Sequence, residues 1–174
     1  LRTRCEAPLW LWGLRAGCLL AADAAARGDE PAGFLFWQPA VSGRQHLQQF
    51  LRLKAAGNML GGDPRGAMAA VRRQLDESQS PEIAGYTLNP DLARGLEAAQ
   101  LEPPNRPGRV VWLELSTRDD AHLSPAAATH VEQWRAAEHE VAASVVTGPA
   151  FWQTAEIEEA PALLTATLAA LNAM

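Results

Sequence analysis

The chain has 174 residues, 48% of them hydrophobic, and sets 15 Lys and Arg against 20 Asp and Glu, for a net charge of −5 and a pI near 5.4. That length and apolar content can bury a core, so one domain or part of one is expected. The acidic balance, with no cluster of Lys and Arg, argues against a nucleic-acid-binding surface. No stretch reaches the roughly 18 uncharged apolar residues that a membrane span needs, the longest candidate being broken by Arg15 and Asp23.

Cys5 and Cys18 form neither a metal motif nor a disulfide framework, so no metal or other cofactor is expected, and a reducing, cytoplasmic setting is the default. Leu1-Arg2-Thr3-Arg4 reads as the end of a helix already under way, with no signal peptide recognisable. Abundant alanine and a strong preference for Arg over Lys suggest a GC-rich bacterial gene.

In chain order, Leu and Trp alternate over residues 8–13 and end in Gly13, the pattern of a buried strand entering a tight turn. Residues 14–27 put Leu14, Cys18, Ala21, Ala22 and Ala25 on one helical face, with Gly28 as C-cap. Gly33–Pro39 is a second apolar run of strand length. Residues 46–60 carry Leu47, Phe50, Leu51, Leu53 and Met59 at helix spacing, stopped by Gly61-Gly62. Asp63-Pro64 can cap a helix through Met68, Val71 and Leu75, and Ile83–Leu88 reads as a short strand or a crossing segment. Asn89-Pro90 starts another helix, with Leu92, Leu96 and Ala99 inward. Residues 63–101 are therefore expected to be a helical insertion. After the stiff connector 103–108, Arg109–Leu115 is the clearest strand, Ser124-Pro125 starts a helix through Val131 and Trp134, and Glu140–Val146 is a fourth strand. A helix over 156–171, with Ile157, Leu163, Leu164, Thr167, Leu168 and Leu171 inward, closes the chain. Strands alternating with helices predict an α/β fold with four mostly parallel strands flanked by helices.

The first turn, Gly13-Leu14-Arg15-Ala16-Gly17, has the spacing of the Gly-x-Ser-x-Gly nucleophile elbow, which lifts a serine above the end of a sheet. Arg15 stands where the serine belongs, and a guanidinium, always protonated, is no nucleophile. This elbow resembles that of the α/β-hydrolases, a likeness that implies an acid after the next-to-last strand, where Asp119 and Asp120 lie; either could serve, or both could belong to a polar loop before a helix. The histidine should follow the last strand, but the turn 148–152 offers Phe151 and Trp152.

The chain resembles the C-terminal half of an α/β-hydrolase fold, its strands corresponding to the fifth through eighth. More narrowly, it is similar to the exosortase A system-associated hydrolases of type 2. The likeness runs through Leu9–Gly17, Phe36–Gly43 with Gln48–Lys54, Ala84–Leu88 and Phe151–Ile157. It implies a cytoplasmic bacterial protein linked to exopolysaccharide production and protein sorting, nominally an ester or thioester hydrolase. It also implies earlier strands ahead of Leu1, so that the sequence reads as a gene fragment whose Leu9–Trp12 would be an exposed apolar edge.

Several other groups could carry chemistry. His122 lies near the candidate acids, Cys18 one residue past the motif, and Ser42 and Ser116 each just after a strand, while His46, His130 and His139 share no metal-ligand spacing. Arg15 itself is a cation at a helix start, which opposes the helix dipole. Either it binds an anion such as phosphate or carboxylate together with the helix N–H groups, or it pairs with Asp119 or Asp120 across a dead site. Leu14, Ala16, Ser42 and Trp152 are the further candidates for lining that crevice. Two functions follow: an atypical hydrolase, or a non-catalytic homologue that binds a small anionic or acyl ligand or a partner protein.

Overall fold

The computed structural model describes residues 7–57, 64–154 and 156–172. Residues 1–5, with the helix end expected at Leu1-Arg2-Thr3-Arg4, and residues 59–63 lie outside them. Two compact units are formed, one from residues 1–41 and 101–174, the other from Ser42–Gln100.

The first unit is a four-stranded parallel sheet of β1 (Trp10–Leu14), β2 (Gly33–Trp37), β5 (Arg109–Ser116) and β6 (Glu140–Thr147), side by side in that order. β1, β5 and β6 are each followed in sequence by a helix, as the alternating pattern anticipated, and β2 by the second unit. The central strands are apolar at consecutive positions because both faces are covered. On one face Leu35 and Trp37 of β2 and Val111 and Leu113 of β5 are buried with Leu163 of α6 (Pro161–Asn172). On the other, Phe34 and Phe36 meet Trp134 of α5 (Pro125–Ala136) edge to face, with ring centroids 5.1 and 5.4 Å apart, and Trp112 meets Phe36 at 5.9 Å. α1 (Gly17–Arg27) packs on β1 and β2 and buries Cys18, Leu19, Ala21 and Ala22. Among the described residues β1 is bonded to β2 alone, and Trp12 is 62% exposed.

The second unit holds α2 (Gly43–Gly57), α3 (Pro64–Asp76), the antiparallel pair β3 (Glu82–Ile83) and β4 (Tyr86–Thr87), and α4 (Pro90–Ala98). Its core is Leu47, Leu51, Val71, Leu75, Ile83, Leu88 and Ala93. The segment 83–88 is thus a hairpin: Ala84 (φ 49°) and Gly85 (φ 83°) are both left-handed, the conformation of a two-residue type I′ turn. Asn89 caps α4 as expected, its side chain accepting from Asp91 N–H at 2.7 Å. Ser42 and Gln100 form an isolated antiparallel bridge, so the unit opens and closes at neighbouring points of the chain.

Three details differ from the periodic reading. α2 belongs to the second unit instead of continuing the β-α-β-α alternation. In α4 Pro90 and Ala93 are buried and Leu96 packs against the same core as expected, while Leu92 is 53% exposed. α6 begins at Pro161, and Ile157, ahead of it, is 98% exposed. Proline is tolerated in a first helical turn and blocks a helix that would run through it. Leu163 and Thr167 face inward as expected, whereas Leu164 and Leu168 are exposed.

Candidate functional site

The end of β1 and the turn after β6 bring two of the candidate residues, Arg15 and Trp152, together. β1 stops at Leu14, Arg15 adopts φ 54°, and α1 starts two residues later at Gly17. A left-handed backbone is unfavourable for a residue with a side chain and persists only where neighbours enforce it. Here the enforcement is backbone bonding. Arg15 N–H donates to Trp37 O at 3.0 Å, and Arg15 O accepts from Cys18 N–H at 3.1 Å and Ala40 N–H at 3.2 Å. The turn is tight enough that a Cβ on Gly13 would sit 2.5 Å from Cys18 N and 2.6 Å from its Cα. The first glycine of the motif is therefore what lets α1 lie directly on β1. The second is not under that constraint, since a Cβ on Gly17 would meet nothing within 4 Å.

The Arg15 side chain donates from Nη1 to Gln38 O at 3.5 Å, and its guanidinium carbon lies 5.7 Å from the centre of the Trp152 ring. That is cation–π range. Burial lowers the Arg15 pKa, with the negative charges of Cys18 (when ionised) and Glu114 pulling the other way. Trp152 sits in a 3-10 turn, Phe151–Gln153, stacked edge-on with Phe151 at 5.2 Å. Its Nε1–H is buried with no partner among the described residues. The positions where a nucleophile and a histidine were sought are thus in contact, occupied by a cation and an indole.

The aspartates are engaged elsewhere. Asp120 is held by Arg118 through Nε at 3.1 Å and Nη2 at 3.0 Å, and Asp119 accepts from Thr147 Oγ1 at 3.1 Å. Asp119 is anchored at the end of β6, whereas Asp120 sits in an exposed pair with its near neighbour. Leu14 is half-buried in the apolar cluster with Trp37, and Ala16, at the N-cap of α1, contributes no side-chain bond. Ser42 belongs to the second unit, where its Oγ accepts from Gln45 N–H at 3.4 Å. An open depression there, lined by Gln45, Gln48, Gln49 and Arg52, is the polar stripe of α2.

Other groups fall into structural roles. Cys18 is fully buried, its thiol facing Trp37 O at 4.0 Å and pushed up to about 12 chiefly by burial, so the thiolate needed for attack is scarce. His139 is 4% exposed, its Nδ1 accepting from Gly108 N–H at 3.2 Å and its Nε2 donating to Pro104 O at 3.1 Å. His130 Nδ1 donates to Ala126 O at 2.9 Å, and Ser116 Oγ accepts from Arg118 N–H at 3.0 Å. Among the described residues, no three His, Cys, Asp or Glu side chains group as metal ligands, and no helix is long and apolar enough to cross a membrane.

Two residues escaped the sequence reading. Glu114, in β5, is 7% exposed and accepts from Ser124 N–H at 3.1 Å and Ser124 Oγ at 3.4 Å. Gln38, φ 43°, ends β2, and its Oε1 accepts from Leu115 N–H at 2.6 Å. A charged residue inside an apolar strand was the available signal for Glu114; Gln38 gave none.

Compared with protein-family models, with curated proteins and with solved structures, the chain matches none.

Proposed function

We propose that the chain is an α/β-hydrolase-type domain of the exosortase A-associated kind, working in the bacterial cytoplasm beside exopolysaccharide export, that binds a small anionic ligand at its elbow instead of hydrolysing an ester. The parallel order β1-β2-β5-β6 and the strand–turn–helix at Arg15 support the fold-level part of this reading. The observation that carries the functional part is the stacking of Arg15 on Trp152. An ester hydrolase needs an oxygen or sulfur nucleophile at the first position and a titratable base at the second. A guanidinium and an indole supply neither, but together they offer hydrogen-bond donors and a positive charge beside an aromatic wall. Such donors at the carboxyl ends of parallel strands stand where α/β folds bind ligands. The Trp152 Nε1–H is buried without a partner among the described residues, an orphan donor of the kind that calls for an explanation.

The test is calorimetric titration of the chain with acetate and inorganic phosphate, beside an assay with a generic acyl ester. Binding that is lost in Arg15→Ala, with no ester turnover, is the expected result. Turnover that disappears on neutralising Asp119 and Asp120 would instead establish the hydrolase reading.

A further inference from the structure

Gln38 repeats, one strand over, what Arg15 does at the end of β1: a residue with a side chain turns left-handed just beyond a strand. Its own N–H completes the ladder to Leu113 O at 2.7 Å. The turn then removes the backbone carbonyl that Leu115 N–H would use next, and the side-chain Oε1 takes over that rung at 2.6 Å. The diverted Gln38 carbonyl accepts from Arg15 Nη1 instead. Because Leu115 presents a donor, the carboxamide has one orientation, with oxygen toward Leu115 and Nε2 on the other arm. Nε2 donates to none of the described residues.

A guanidinium and an oriented amide N–H₂ therefore stand at adjacent strand ends, tied through one backbone carbonyl. Both are donors, so they suit a group that only accepts, a carboxylate or a phosphate. Charge decides between these. The Glu114 carboxylate, one residue before Leu115 in β5, acts electrostatically at Arg15, so it repels a dianion there more strongly than a monoanion. Leu14, Leu115 and Phe151, half-buried in one apolar cluster, adjoin the same strand ends and suit an aliphatic tail.

We propose that Gln38 is a ligand-binding residue and that, with Arg15, it takes the carboxylate of a small molecule bearing an apolar tail. The inference rests on Arg15 as the anchor, and the experiment separates the two. The full chain is titrated calorimetrically with octanoate, acetate and inorganic phosphate, as wild type, R15A and Q38E. Gln38→Glu keeps the acceptor for Leu115 N–H while replacing the donor arm with a negative acceptor, so octanoate affinity falls by about tenfold or more with the melting temperature held. Should that variant not fold, Gln38→Gly, which suits the left-handed backbone, makes the same test. In the wild type the Gln38 side-chain amide resonances shift on adding octanoate. Loss of binding in R15A with either folded Gln38 variant unaffected, or unmoved Gln38 resonances at saturation, overturns the role of Gln38 and leaves the Arg15 reading standing. Undiminished binding by R15A overturns both, and phosphate binding more tightly than octanoate, or octanoate not binding, overturns the carboxylate class.

Discussion

Trp37 Nε1 donates to Thr167 Oγ1 at 3.0 Å, a buried bond between residues 130 positions apart. It pins α6 to β2 directly beneath the elbow, since Trp37 O also receives Arg15 N–H. Thr167→Val preserves shape and removes the acceptor, leaving a buried indole N–H unpaired. Such an orphan costs about 1–3 kcal/mol, so urea unfolding should show a loss in that range. Thr167→Ser, which keeps the hydroxyl, should lose less. Equal losses would mean that the methyl group, not the bond, matters.

The two motif glycines should respond in opposite ways. Gly13→Ala drives a Cβ into the backbone of Cys18 at 2.5 Å, and the atoms it meets cannot swing aside, so α1 must lift from the sheet. A loss of several kcal/mol, at the upper end for single substitutions, and a melting temperature lowered accordingly are expected. Gly17→Ala meets open space at the first residue of α1 and should stabilise by about 0.4–1 kcal/mol by restricting the unfolded chain. Thermal melts of the two variants side by side decide the matter.

Cys18 gives the fold an alkaline limit. Its thiol rises from the ordinary 9.0 to about 12 in the folded chain, mainly because burial penalises the thiolate. The folded state thus holds this proton more tightly than the unfolded chain does. The associated stability is complete below pH 9 and is lost as pH climbs from 9 toward 12. At about 1.4 kcal/mol per pH unit the whole effect is on the order of 4 kcal/mol. Urea midpoints measured from pH 8 upward should fall more steeply for the wild type than for Cys18→Ala; parallel curves would refute the assignment.

What could be read from the sequence was what neighbours in the chain decide. Ser124-Pro125 and Asn89-Pro90 start helices where expected because the capping group and the N–H it receives are two or three residues apart. The four strands were legible as apolar runs: β2 and β5 are buried on both faces, and the edge strands β1 and β6 keep apolar sequences though they are only partly buried. The start of α6 was set by Pro161, which blocks a helix that periodicity alone would begin at residue 156, and the burial of Ala93 in place of Leu92 in α4 was set by packing within the second unit. Gln38 could not be found at all: its acceptor serves Leu115, 77 positions on, and only the register of β2 with β5 brings them together. Arg15 and Trp152 were each singled out from motif order, while their contact required β6 to lie where the sheet places it.

Glu114 offers a test of the elbow from a residue outside it. Its carboxylate serves the start of α5 through Ser124, whose Oγ in turn accepts from Ala127 N–H at 3.2 Å. The same charge is felt at Arg15, where it competes with any anionic ligand for the guanidinium. Glu114→Gln keeps an acceptor for Ser124 N–H but removes the charge, which costs about 0.3–1 kcal/mol at a helix N-terminus. Anion affinity should move the other way. With its competitor neutralised, Arg15 should bind acetate or octanoate roughly 3–10-fold more tightly, and only while Arg15 is present. Titrations of E114Q, R15A and the double variant form the cycle. A gain in E114Q that persists without Arg15, or no gain at all, would show that the anion binds away from the elbow.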